Sequence, residues 1–123
     1  MNRMKLVFFV GVNPAEDAGR LSAAYRFASA AAEADINAEV RLAGDAVLVA
    51  DPAFVATVPG AVDLRRRIDD AAARRIRVSV CPRSVERWGI KDDQITAIGA
   101  QPLALSEILV DVAEGRSVFV HVG

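Results

Sequence analysis

Cys81 is the side chain in this sequence that is best placed for nucleophilic chemistry. It follows a predicted buried strand, Arg77–Val80, and directly precedes Pro82, a residue that suits the first position of a helix because no N–H is needed there. We therefore expect the thiol near the unpaired N–H groups of Arg83 and Ser84, where the positive end of the helix favours thiolate over thiol. The charges of Arg83 and Arg87 would add to that field. A thiolate at neutral pH is what sulfur transfer through a persulfide requires.

A purely structural role for Cys81 is the alternative, because free cysteine is among the most often buried residues. The chain has one cysteine, so it cannot form an internal disulfide or a multi-thiolate zinc site, and a reducing cytoplasm is its expected setting. A persulfide carrier needs only one thiol, since its partner supplies the attacking group. The single cysteine therefore excludes an internal dithiol couple and leaves the carrier hypothesis open.

Other polar residues at predicted strand ends have two interpretations each. Asp45, after Gly44, could orient a ligand or cap a helix, and both remain open. Asn13 could face the same edge, although capping the first helix explains it more simply. His121 could pair with Cys81 only if their strands were adjacent, and a packing role is the default. Trp88 could form a partner surface or pack the short helix.

Several function classes lack their usual sequence signals. There is no G-x-G-x-x-G, no G-x-x-x-x-G-K-[ST], no paired-cysteine or H-x-x-x-H motif and no G-x-S-x-G. We therefore expect no cofactor and no metal. The net charge of -1 does not favour nucleic acid or an anionic membrane, and no segment reaches the roughly 20 apolar residues of a membrane span. The apolar start is interpreted as a strand and not as a secretory signal.

Apolar runs alternate with helical periodicity along the chain. Strands are predicted at Lys5–Val10, Ala38–Leu42, Arg77–Val80, Ile95–Gly99 and Ser117–Val122. Helices are predicted from Asn13 and Pro14, over Asp63–Arg75, over Pro82–Trp88 and from Pro102 to Gly115, with a solvated turn at Lys91–Gln94. Residues 46–50 fit a helical turn or a strand, and the segment to residue 60 should be irregular or partly helical. The alternation predicts one α/β domain over residues 1–123, with a mainly parallel five-stranded sheet.

Three stretches carry a resemblance to a known family: 78–90 (VSVCPRSVERWGI), 39–47 (EVRLAGDAV) and the closing elements from 98 to 122. In order and local pattern they resemble the DsrE/DsrF-like family, which includes the TusD-type sulfur-relay proteins. The resemblance implies a three-layer α/β/α fold that assembles into oligomers of identical chains. It also implies that Cys81 carries sulfur as a persulfide between a donor and an acceptor protein.

Three functions follow as hypotheses. The first is a sulfur-relay carrier that uses Cys81, supported by Arg83, Ser84, Asp45, Asn13 and Arg87. The second is a non-catalytic module that binds a small anion or nucleotide-like ligand at the strand-end edge. The third is an oligomer-forming subunit whose interface is the helix Pro102–Ala113, with a structural cysteine.

Overall fold

The computed structural model of the protein describes residues 4–123. Its strands form one five-stranded sheet, and every neighbouring pair is parallel. They are β1 (Lys5–Val10), β2 (Ala38–Leu42), β3 (Arg77–Val80), β4 (Ala100–Pro102) and β5 (Ser117–His121). The order across the sheet is β4-β3-β2-β1-β5. The predicted α/β class with a five-stranded parallel sheet is confirmed.

Helices connect the strands. They are α1 (Ala18–Glu33), α2 (Pro52–Val55), α3 (Ala61–Ala73), α4 (Pro82–Trp88), α5 (Asp92–Ala97) and α6 (Leu105–Ala113), together with a 3-10 segment at Gly44–Ala50. Parallel strands joined through a helix cross over with a right hand. The connections from β1 to β4 all step in one direction, whereas the connection from β4 to β5 runs back across the sheet. Helix α6 therefore lies on the opposite face from α1 and α3.

The face of the sheet under α1 and α3 holds the main hydrophobic core. Val40 and Leu42 of β2 and Val78 and Val80 of β3 point into it and are almost completely buried. The stripe of α1 that packs on them consists of small residues around two large side chains, Leu21 and Tyr25. Close approach of a helix rich in alanine to a sheet rich in valine gives dense packing.

The face under α6 is different because side chains alternate along a strand. Strand register places Lys5 of β1, Glu39 and Arg41 of β2 and Ser79 of β3 together on this face. All four are buried. The sheet therefore has an apolar face and a face with a charged centre.

The predictions for residues 91–102 were wrong. Lys91–Gln94 does not form a solvated turn and Ile95–Gly99 does not form a strand, because α5 occupies Asp92–Ala97. Its first turn is fixed by the Gln94 side chain, which accepts a hydrogen bond of 2.8 Å from the Lys91 N–H. Ile95 and Ile98, three residues apart, both reach the core, which is a helical spacing. Strand β4 starts only at Ala100, after Gly99 with φ +70°.

Two helix starts also lie later than predicted. Asn13 begins a turn in which its side chain accepts from the Ala15 N–H, and α1 starts at Ala18, capped by Asp17. Pro102 belongs to β4, and α6 begins at Leu105. The unresolved choice at residues 46–50 is settled as a 3-10 helix, and the expected irregular connection contains the single turn α2.

Candidate functional site

Cys81 lies at the exit of β3, where the chain turns into α4. Its backbone N–H donates to the Leu42 carbonyl at 3.3 Å, so it still pairs with the end of β2. Its own carbonyl accepts from the Val85 N–H at 3.0 Å as the residue that caps α4, with Pro82 first in the helix. The predicted strand, cysteine and helix order is therefore present, and Gly89 ends the helix in the left-handed conformation, φ +64°.

The thiol of Cys81 is partly exposed and is surrounded by hydrogen-bond donors. Desolvation by burial acts to raise its pKa. The backbone N–H and hydroxyl of Ser84, the backbone N–H of Arg83 and the positive charge of Arg41 act in the opposite direction. The donors and the charge prevail, and the pKa of Cys81 is lowered from its ordinary value of 9.0. The site therefore favours the thiolate, which is the nucleophilic form.

Arg41 lies on β2, the strand that pairs with β3, and its positive charge acts on Cys81. Its guanidinium Nη1 donates to the Leu103 carbonyl at 2.6 Å and to the Ser79 hydroxyl at 3.3 Å. The residue is 1% exposed, and its Nε has no hydrogen-bond partner within residues 4–123. Burial lowers the pKa of Arg41, while the charges of Cys81 and Glu39 and a hydrogen bond with the Cys81 side chain raise it. Arg41 is thus a buried cation whose charge acts on the thiol.

A chain of polar contacts extends from Arg41 across the sheet. The Ser79 hydroxyl accepts from Arg41 and donates to Glu39 Oε2 at 2.6 Å. Glu39 Oε1 accepts from Lys5 Nζ at 3.0 Å. Glu39 and Ser79 are both 0% exposed. These polar contacts therefore link β1, β2 and β3 on the face covered by α6 and hold the Arg41 guanidinium in place.

The other residues proposed from the sequence form a separate cluster. Asp45, in the 3-10 segment, accepts from the Asn13 side-chain amide at 3.4 Å and from the Trp88 indole N–H at 3.2 Å. The guanidinium of Arg87 lies 5.7 Å from the centre of the Trp88 ring. Neither side chain caps a helix, because Asp17 caps α1 and the 3-10 segment has no side-chain cap, so the capping interpretations were wrong. That Asn13 and Asp45 face a ligand at the strand-end edge stays a prediction. The cluster anchors α4 at its far end.

His121 does not meet Cys81. It lies on β5, and β2 and β1 separate β5 from β3. Three strand spacings correspond to about 14 Å. The imidazole instead stacks on the ring of Phe9, with 5.9 Å between ring centres. The packing interpretation of His121 therefore fits its position.

Sequence reasoning missed Arg41, Ser79, Glu39 and Lys5. The sequence did contain a signal for this network. Glu39 and Arg41 occupy alternate positions of a predicted strand, and burying charged side chains is costly unless they are paired. The residues in reach of Cys81 are an arginine, a serine and backbone donors, which suit an anionic sulfur atom. Within residues 4–123, no group of three or more histidine, cysteine, aspartate or glutamate side chains could hold a metal ion. No helix of the same residues is long and apolar enough to cross a membrane.

Fold and site together define a parallel α/β protein with one cysteine at a strand-to-helix junction. The chain belongs to the DsrE/DsrF-like family, which it matches over residues 4–120. The fold is similar to the ychN protein from E. coli, with TM-score 0.69, 18% identity and coverage of 96% of this chain and 98% of that one.

Two structures of proteins of unknown function share the same fold. One is from Bacteroides thetaiotaomicron, with TM-score 0.68, 15% identity and coverage of 95% of this chain and 93% of that chain. The other is from Methanobacterium thermoautotrophicum, with TM-score 0.66, 15% identity and coverage of 96% and 98%. No curated protein matches the chain. At these identities the likeness concerns the fold.

Proposed function

We propose that the protein is a sulfur-relay carrier that holds sulfur as a persulfide on Cys81. The observation that carries the proposal is the environment of the thiol. The N–H groups of Arg83 and Ser84, the Ser84 hydroxyl and the charge of Arg41 together lower the pKa of this partly exposed cysteine. A buried structural cysteine has no need of donors or of a cation, whereas an anionic sulfur atom needs both.

The reaction is two exchanges without net oxidation. The Cys81 thiolate attacks the outer sulfur of a persulfide on a donor protein, so that a bond forms from Sγ to that sulfur. The S–S bond of the donor breaks, and the donor leaves as a thiolate. An acceptor thiolate then attacks the outer sulfur on Cys81, and Cys81 leaves as a thiolate. The N–H groups of Arg83 and Ser84 hold the anionic sulfur between the two exchanges.

The test is intact mass after exposure to a low-molecular-weight persulfide, with the rate of alkylation measured against pH. We expect one added sulfur atom per chain, removed by excess dithiothreitol, and an alkylation midpoint below that of the same thiol in the urea-unfolded chain, because the pKa of Cys81 is lowered in the folded chain. The control is Cys81→Ser, which should take up no sulfur. Absence of an adduct on the wild-type chain, or a midpoint at or above that of the unfolded chain, would contradict the proposal.

A second candidate function, assembly of identical chains, is favoured by the outer surface of α6. Leu109 and Val110 are 47% and 50% exposed. Leu109 also lines a shallow apolar cavity of about 250 Å³ with Phe9, Phe119 and other side chains. This single nine-residue helix lies over one face of a five-stranded sheet. A second copy packed on α6 would cover the apolar side chains that one chain leaves in water.

Light scattering coupled to gel filtration tests the assembly. We expect an oligomer for the wild-type chain and a smaller species for Leu109→Asp. The matched control is Val62→Asp, because Val62 is 87% exposed on α3, a helix on the other side of the sheet. A wild-type monomer over the whole concentration range would exclude this function without affecting the carrier proposal.

A further inference from the structure

The buried charges on the α6 face do not balance when Cys81 is a neutral thiol. Lys5 and Glu39 form one ion pair at 3.0 Å. Arg41 is a second cation, and the protein atoms that accept from it, the Leu103 carbonyl and the Ser79 hydroxyl, are neutral. A buried ion without a counter-ion is costly, and arginine does not lose its proton to avoid that cost. Among the buried side chains of this face, one positive charge is therefore left without an anion. Asp111 of α6 also lies near Lys5, but it is half-buried and pairs with Arg116 at 2.7 Å.

We propose that Arg41 is the buried counter-ion of the sulfur on Cys81, in both the thiolate and the persulfide. The alternation of charge is then complete, in the order Lys5, Glu39, Arg41 and Cys81. Glu39 and Ser79 are positioning residues, since they hold the guanidinium and do not touch the sulfur. The persulfide part of this inference rests on the proposed function, whereas the thiolate part does not.

The geometry around Arg41 supports this role. Leu103 follows β4 and Ser79 lies on β3, so the guanidinium is held from two sides at 2.6 and 3.3 Å. Its buried Nε is left without a partner. A guanidinium has five donors in a rigid fork, so a free donor remains for an anionic ligand after the neutral acceptors are filled. That free capacity is available to an anion at Cys81, since the charges of the two side chains act on each other.

Other groups near the thiol do not replace Arg41. Helix α4 contributes N–H groups and the Ser84 hydroxyl, which are neutral donors. The side chains of Arg83, Glu86 and Arg87 are exposed to water, where their charges are screened. Glu39 lies behind Ser79 and repels an anion at Cys81. Among the charged side chains, Arg41 is the one whose positive charge acts on the thiol.

Two substitutions that each remove one charge test the proposal, because Arg41→Gln should raise the Cys81 pKa and Glu39→Gln should not. In Arg41→Gln the thiolate loses its counter-ion, so the alkylation midpoint should rise by about one pH unit or more. The alkylation rate at neutral pH should then fall roughly tenfold. In Glu39→Gln a nearby negative charge is lost, so the midpoint should stay low or fall. Damage to the structure alone would move both midpoints in the same direction.

Two further variants serve as controls. Arg77→Gln removes an exposed arginine from β3 about 13 Å from Cys81, and should leave the midpoint unchanged. Arg41→Lys keeps the charge, so its alkylation midpoint should lie closer to the wild-type value than the midpoint of Arg41→Gln does. If Arg41→Gln does not fold, Arg41→Lys serves as the test. A folded Arg41→Gln chain with the wild-type midpoint, or an Arg41→Lys midpoint that rises as far as the Arg41→Gln midpoint, would overturn the proposal.

Different experimental results would contradict this inference and the carrier function. If the wild type takes up sulfur and Arg41→Gln holds it equally long, Arg41 is not the counter-ion of the persulfide but the carrier function stands. If the midpoint rises in Arg41→Gln while the wild type takes up no sulfur, Arg41 is confirmed as partner of the thiolate and the carrier function is excluded.

Discussion

The two faces of β2 show how one strand serves two purposes. Val40 and Leu42 point to the face under α1 and α3, where they are 0% exposed among other apolar side chains. Glu39 and Arg41 alternate with them and point to the face under α6. A shift of one residue in register would exchange the two sets. The apolar set stabilises the fold, and the charged set is stable only as a connected network.

This contrast between the apolar and the charged face indicates which face serves the function. Burial of Leu42 needs no partner and is favourable at any pH. Burial of Glu39 and Arg41 needs every hydrogen bond and a balanced charge, and apolar residues of similar size could stabilise the same position as well or better. A network of this kind next to a partly exposed cysteine is therefore better explained by the chemistry of the thiol than by stability.

The largest effect on stability is expected on the charged face. Glu39→Gln leaves Lys5 as a buried cation without its ion-pair partner, so the free energy of unfolding should fall by about 3–5 kcal/mol. Urea denaturation at neutral pH measures the loss. The comparison variant is Lys5→Met/Glu39→Leu, which removes the whole ion pair and should cost much less. If the single and the double variant lose the same free energy, the pair does not act as a unit.

Leu42→Ala gives the matching value for the apolar face. Leu42 is completely buried next to Arg41 in sequence, and its truncation should cost about 3 kcal/mol through lost burial and the cavity left behind. The alkylation midpoint of Cys81 should not change, since no charge is altered. A change in the midpoint as large as that of Arg41→Gln would mean that the two faces are not independent.

Periodicity was sufficient for most of the fold. The apolar run of β1 stands out in sequence, valine and leucine alternate with polar residues in β2 and β3, and Pro82 and Gly89 mark the two ends of α4. The prediction for residues 91–99 was wrong because Ile95 and Ile98 have high strand propensity, while their contact with the core depends on the helical turn that Gln94 fixes. Tertiary packing overrode the local preference there.

The site was predictable only in part. The position of Cys81 after a strand and before Pro82 predicted the backbone donors of Arg83 and Ser84. The partner Arg41 comes from 40 positions earlier in the chain, and it meets Cys81 because β2 and β3 are neighbours in the register Arg41↔Ser79. Strand order could not be read from this sequence, so neither could the network that depends on it.

A smaller effect is expected from the pH dependence of stability. The pKa of Cys81 is lowered in the folded chain, so the thiolate stabilises the fold above the unfolded value of 9.0, and this contribution is lost as pH falls through the folded pKa. The free energy of unfolding of the wild type minus that of Cys81→Ser should therefore increase as the pH rises across that window. The increase should be about 1.4 kcal/mol for each unit by which the folded and unfolded pKa values differ. Urea denaturation of both chains over the window measures it, and a difference that does not change with pH would contradict a lowered pKa.

The smallest effect is expected at the far end of α4, away from the charged face. Asp45→Ala removes the acceptor of the Trp88 indole N–H and the Asn13 amide, and should cost about 1 kcal/mol because these groups can turn to water. Trp88 is the only tryptophan, so its fluorescence reports the loss directly. Sulfur uptake and the alkylation midpoint should stay at wild-type values, since Asp45 is not among the groups that act on the thiol. A shift of the midpoint in Asp45→Ala would join the two clusters into one site and return the ligand-binding interpretation of Asp45 to first place.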